Sequence, residues 1–134
     1  MATNPDYKIA ILATDSEALV MGFSAFLLTI PPVHQTLIVD SIHSLMDSLE
    51  TVQPALILID SELLDGNIAD PQRYERIDEI GRLAPESPRV LLAGDMEEYR
   101  ELVCYTRDTV IIKGTDPAGL ANILERLLQE SAVA

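Results

Sequence analysis

Two aspartates and a lysine stand at the ends of apolar runs in this sequence. Asp15 follows YKIAILAT, Asp60 closes ALILI and Lys113 follows TVII. Paired carboxylates hold a hard divalent cation, and Mg²⁺ takes one or two of them, filling its other positions with water and phosphate oxygens. A carboxylate beside such an ion is a nucleophile towards phosphorus and gives an acyl phosphate. An ammonium opposite it neutralises charge on the phosphoryl oxygens. Each residue alone has a plainer reading: an aspartate after a buried strand is commonly a turn residue or a helix cap, and a lone lysine at a strand end is usually solvated. Strand ends that meet at one edge raise one another's weight. Glu62, two residues after Asp60, adds a D-x-E pair that a phosphatase would also use.

The elements that must position these residues alternate along the chain. Tyr7 to Ala13 reads as a first strand buried on both faces. Ser16 to Thr29 places Leu19, Val20, Phe23, Phe26 and Leu27 at helical spacing, and Pro31-Pro32 stops that helix. Thr36 to Val39 is a second strand. Ser41 to Val52 is a helix with Ile42, Leu45, Met46 and Leu49 on one face, broken at Gln53-Pro54. Ala55 to Ile59 runs into Asp60 as the third strand, followed by a long connection, Ser61 to Ala69. Asp70 as cap and Pro71 at the first position then open a helix whose buried stripe is Tyr74, Ile77, Ile80 and Leu83. Arg89 to Ala93 is the fourth strand. Asp95 and Glu98 have capping-box spacing ahead of a helix over Met96 to Tyr105, on which Cys104 is expected to face the core. Thr109 to Ile112 is the fifth strand, and Asp116-Pro117 opens a last helix with Leu120, Ile123, Leu124, Leu127 and Leu128 inward. The pattern is (βα)5, an α/β domain with one parallel sheet between helices, and ligands in such sheets bind at the carboxyl ends of the strands. Asp15, Asp60 and Lys113 all fall there.

Composition limits what this site can serve. The 134 residues fit one domain, 1–134, with a core from about 7 to 128. No apolar run reaches the roughly 20 residues that cross a membrane, and the first residues carry neither basic charge nor an apolar core, so no secretion signal is expected. The single cysteine, Cys104, excludes an internal disulfide and a cysteine-based metal site and suits a reducing cytoplasm. With a net charge of −13 and only Lys8 and Lys113 as lysines, the chain is not expected to bind nucleic acid directly. His34 and His43 have no partner at metal-ligand spacing and read as surface residues.

The ordering IAILATD (Ile9 to Asp15), ALILID (Ala55 to Asp60), RVLLA (Arg89 to Ala93) and VIIKG (Val110 to Gly114) resembles the response-regulator receiver domain over nearly the whole chain. Gly22 also sits where the subclass joined to DNA-binding output domains often has glycine. The resemblance implies the doubly wound, flavodoxin-like sheet of order 2-1-3-4-5. It implies that Asp60 takes a phosphoryl group from a histidine kinase with Mg²⁺ bound. Asp15 is then the metal-binding acid, Glu62 supplies a backbone carbonyl to the metal, and Lys113 neutralises the phosphoryl group. It also implies a dimer or output face on the fourth helix, fifth strand and fifth helix, here Glu97 to Gln129 with Tyr99, Arg100, Arg107 and Arg126.

The sequence departs from the family at the switch. Thr14 replaces the first of two adjacent acids, Ala93 replaces the hydroxyl that ends strand four, Val110 replaces the aromatic of strand five, and Gly114 follows the lysine. The loop after Asp60 is longer and lacks a proline-glycine turn, with Asp65 available as a substitute acid. Without a hydroxyl to move and a ring to swing, the usual two-state coupling lacks both parts, and one fewer carboxylate weakens metal binding. Two readings follow. The lost switch residues favour a pseudo-receiver that acts by docking to a histidine kinase or another signalling protein. The alternative is a phosphorylatable, Mg²⁺-dependent regulator with a rewired response. On neither reading is the chain an enzyme beyond self-phosphorylation of Asp60. A small phosphatase like the haloacid dehalogenases is disfavoured, because their D-x-D motif lies on the first strand and they carry a cap domain for which 134 residues leave no room. A flavin-binding protein is disfavoured because acids occupy Thr14-Asp15-Ser16-Glu17, where its phosphate loop would lie.

Overall fold

The computed structural model describes residues 9–27, 29–30, 33–64, 71–114 and 117–133. Strand β1 (Ile9–Ala13) leads to helix α1 (Glu17–Leu27), and β2 (Gln35–Val39) to α2 (Ile42–Leu49). Strand β3 (Leu56–Asp60) passes through a 3₁₀ turn at Ser61–Leu64 to α3 (Pro71–Leu83). Strand β4 (Arg89–Ala93) leads to α4 (Met96–Tyr105), and β5 (Thr109–Ile112) to α5 (Pro117–Val133). All five strands are parallel, in the order β2-β1-β3-β4-β5. The register sets Ala13 beside both Val39 and Ile59, Asp60 beside Leu92, and Ala93 beside Ile112. The exits of β1, β3 and β5 therefore share one edge of the sheet, as the sequence pattern requires.

Period-two alternation explains why the central strands read as unbroken apolar runs: each face has its own core. Ile11, Ile57, Ile59 and Leu91 pack with Leu45, Ile77, Ile80 and Leu102 of α2, α3 and α4. Leu12, Leu56, Leu58 and Leu92 pack on the other face with Leu27, Leu120, Leu124 and Leu128 of α1 and α5. Each fully buried leucine or isoleucine contributes about 2 kcal/mol by area removed from water. Helices α2 and α4 start on side-chain caps: Ser41 accepts from the Ser44 N–H, and Asp95 accepts from the Glu98 N–H.

Two inward assignments are corrected. Leu83 is exposed, because it is the last residue of α3 and the chain turns inward one residue later at buried Ala84. Cys104 is exposed as well. It lies two positions past buried Leu102, about 200° round the helix, on the solvent side of α4. Conversely, Arg73 is buried on the inner side of α3, where the stripe had no place for it. His34 and His43 are exposed, and His43 sits 3.5 Å from Asp47 on its own helix. The strand start at Tyr7, the cap at Asp70, Asp65 and Asp116 lie outside the described residues. No described helix is long and apolar enough to cross a membrane.

Candidate functional site

Asp60 ends β3 with no accessible surface, and each of its carboxylate oxygens has partners. Oδ1 accepts from the Lys113 ammonium at 2.6 Å and from the Glu62 N–H at 3.0 Å. Oδ2 accepts from the Thr14 hydroxyl at 2.6 Å. A buried carboxylate demands this, because an uncompensated charge in the interior costs several kcal/mol. The sheet delivers every partner. The Thr14 N–H bonds to the Val39 carbonyl, one residue past the end of β1, and the Lys113 N–H bonds to the Ala93 carbonyl, one residue past β5. Thr14 Oγ1 also accepts from the Ser16 N–H at 3.1 Å, which orients the hydroxyl proton towards Asp60.

Carboxylate oxygens of Asp15, Asp60 and Glu62 lie within 4.8 Å of one another. Asp15 and Glu62 are exposed, so the group opens to solvent above a buried base. Glu62 Oε1 is 3.9 Å from the Lys113 ammonium, which thus serves two acids. The structure therefore gathers Asp15, Asp60, Glu62 and Lys113, and it adds the Glu62 side chain to a residue read from sequence for its carbonyl. Thr14, where an acid is absent, is buried as a hydrogen-bond donor to Asp60. Ala93 and Val110 both belong to the apolar core on the face that carries α4.

A second polar cluster adjoins the first and was not legible in the sequence. Glu98, in the first turn of α4, accepts at Oε1 from the Ser61 hydroxyl and from the Gly94 N–H, both at 2.6 Å. At Oε2 it accepts from Arg73 at 2.6 Å, and the same guanidinium nitrogen donates to the Ser61 carbonyl at 3.2 Å. Arg73 is only 3% exposed and the Glu98 side chain 16%, so this is a largely buried ion pair. Burial pushes the Glu98 carboxyl up, but hydrogen bonds from Ser61, Gly94 and Arg73, with the Arg73 charge, outweigh it and hold the group below its ordinary value. The Asp95–Glu98 spacing did signal a capping box. The Glu98 side chain instead reaches one residue further back, to Gly94, and across to β3.

No protein-family model matches the chain, and no curated protein matches it significantly. Solved structures do resemble it. A response regulator receiver domain protein (CheY-like) from Methanospirillum hungatei superposes with a TM-score of 0.75 at 18% identity, over 94% of this chain and 97% of that one. The signal receiver domain of an HD domain-containing protein from Pseudomonas fluorescens gives 0.77 at 17% identity, over 99% and 95%. The receiver domain of a sensor histidine kinase from Pseudomonas aeruginosa, solved with a magnesium ion coordinated in its active-site cleft, gives 0.71 at 20% identity, over 92% and 98%. At these identities the shared property is architecture, and the architecture of this chain is that of the response-regulator receiver domain.

Proposed function

We propose that this chain is a cytoplasmic signal-transduction domain in which Asp60 accepts a phosphoryl group from a histidine kinase or a related donor. The observation that carries the reading is the convergence of Lys113, Asp15 and Glu62 on Asp60 at the carboxyl edge of the sheet. An Asp60 oxygen attacks the phosphorus of the donor, an acyl phosphate forms, and the P–N bond of a phosphohistidine breaks with its electron pair retained by the imidazole. Lys113 balances charge on the transferred oxygens, and the Glu62 N–H orients the carboxylate. The donor set suits Mg²⁺, since Asp15, Asp60 and Glu62 offer only hard carboxylate oxygens. When bound there, the ion supplies neutralisation of the phosphoryl oxygens. The Glu62 side chain offsets the acid missing at Thr14. The domain turns over no substrate beyond its own modification.

A second reading, docking without phosphorylation, is favoured by one observation: both Asp60 oxygens already have partners and neither is accessible. On either reading the partner is a protein. The exposed apolar residues Met96, Val103 and Tyr105 of α4 support a protein contact there, a second copy included. A small phosphodonor with Mg²⁺ separates the readings. Intact mass is expected to rise by one phosphoryl group in the wild type and not in Asp60→Asn. An unmodified wild type after prolonged exposure leaves docking alone as the reading.

A further inference from the structure

Donors around Asp60 fall into two sets. Lys113, the Glu62 N–H and the Thr14 hydroxyl serve Asp60 itself. The Ser61 hydroxyl and the Gly94 N–H, from the residues that follow Asp60 and Ala93 at neighbouring strand ends, are held by one oxygen of Glu98. A phosphoryl group on Asp60 brings oxyanions to this rim, and charged acceptors there seek nearby N–H and O–H groups. Two donors at this rim, the Ser61 hydroxyl and the Gly94 N–H, are held by Glu98 and not by Asp60. Arg73 behind them is buried, and its Nε finds no acceptor among the described residues.

We propose that the Glu98–Arg73 pair is the switch element of this domain: Glu98 holds the Ser61 hydroxyl and the Gly94 N–H while Asp60 is unmodified, and yields them to an oxyanion on Asp60. Glu98 lies in the first turn of α4, so its displacement moves that turn. The sheet face under α4 presents Ala93 and Val110, which carry no polar group that could transmit the change. The ion pair joins the exit of β3, helix α3 and the start of α4 through polar contacts. Coupling of this kind is reciprocal: whatever holds Glu98 in place weakens binding of an oxyanion at Asp60, and an oxyanion at Asp60 loosens α4 by the same factor.

The inference rests on Asp60 being the acceptor, and the test keeps the two claims apart. The probe is beryllofluoride with Mg²⁺, a non-hydrolysing stand-in for the phosphoryl group. It is titrated into the full chain and into the double variant Arg73→Met with Glu98→Met, which removes the pair without stranding a buried charge. In the wild type, the Gly94 amide resonance is expected to move, and hydrogen exchange in the first turn of α4 to quicken, as the probe binds. In the double variant, affinity is expected to rise about tenfold, a coupling of ordinary size, with no further change in α4 exchange. Binding only to the double variant also supports the switch. Equal affinities with the same α4 response in both proteins overturn the switch and leave the acceptor standing. Binding to neither protein overturns both.

Discussion

At the scale of single residues, Thr14 decides how Asp60 rests. Its hydroxyl is the partner of Asp60 Oδ2, so removing it strands a buried carboxylate oxygen. Thr14→Val is expected to cost about 2 kcal/mol in urea unfolding, the penalty of leaving a buried acceptor unsatisfied. Thr14→Asp has a different signature. It sets a second carboxylate against Asp60, and like charges so close repel each other beyond what Lys113 alone offsets. That variant is expected to be less stable than wild type in chelator and to gain more than wild type on addition of Mg²⁺. An equal Mg²⁺ gain in both proteins would mean that position 14 lies outside the metal's reach. Lys113→Met leaves the Asp60 charge without its cation and is expected to cost about 3 kcal/mol at neutral pH, read the same way.

At the scale of elements, the first turn of α4 carries two separable contributions. Asp95→Ala removes the cap on the Glu98 N–H and is expected to cost about 1 kcal/mol in urea unfolding. Glu98 is different, because its carboxyl lies below the ordinary value of 4.5 in the folded chain. Its contribution is complete above that ordinary value and is lost as pH falls through the folded value. Stability is therefore expected to fall on acidification below about pH 4.5 more steeply in the wild type than in Glu98→Gln. Parallel slopes in the two proteins would remove Glu98 from the account of acid sensitivity. The same turn marks the boundary of what sequence discloses. Strands β1, β3 and β4 were legible because burial on both faces leaves a continuous apolar run. The capped start of α4 was legible because a cap and its N–H lie three residues apart. Asp15, Asp60 and Lys113 were legible because strand ends in a parallel sheet converge by topology alone. Arg73 was not, since an arginine among polar helix residues carries no sign of burial, and its acceptors come from another helix and another strand end. Leu83 misled for the converse reason, since helical period continues past the point where the sheet stops supplying a surface, and Cys104 because apolar neighbours in sequence do not fix a residue's place round a helix.

At the scale of the molecule, charge is the dominant fact. A net charge of −13 over 134 residues makes the folded state repel itself, and the carboxylates of Asp15, Asp60 and Glu62 concentrate part of that repulsion at one edge. Salt relieves the general part: the Debye length shortens to about 10 Å at 0.1 M ionic strength, so the thermal midpoint is expected to climb with NaCl and then level off. On the proposed function Mg²⁺ relieves the local part as well, by binding the folded chain and not the unfolded one. A hundredfold excess over the dissociation constant is worth about 2.7 kcal/mol. At matched ionic strength MgCl₂ should therefore raise the midpoint above NaCl. Asp15→Asn is expected to abolish that surplus while keeping the NaCl response, because Asp15 is an exposed member of the group. A surplus that survives in Asp15→Asn would trace the Mg²⁺ effect to diffuse acidity, and the metal would then have no specific place beside Asp60.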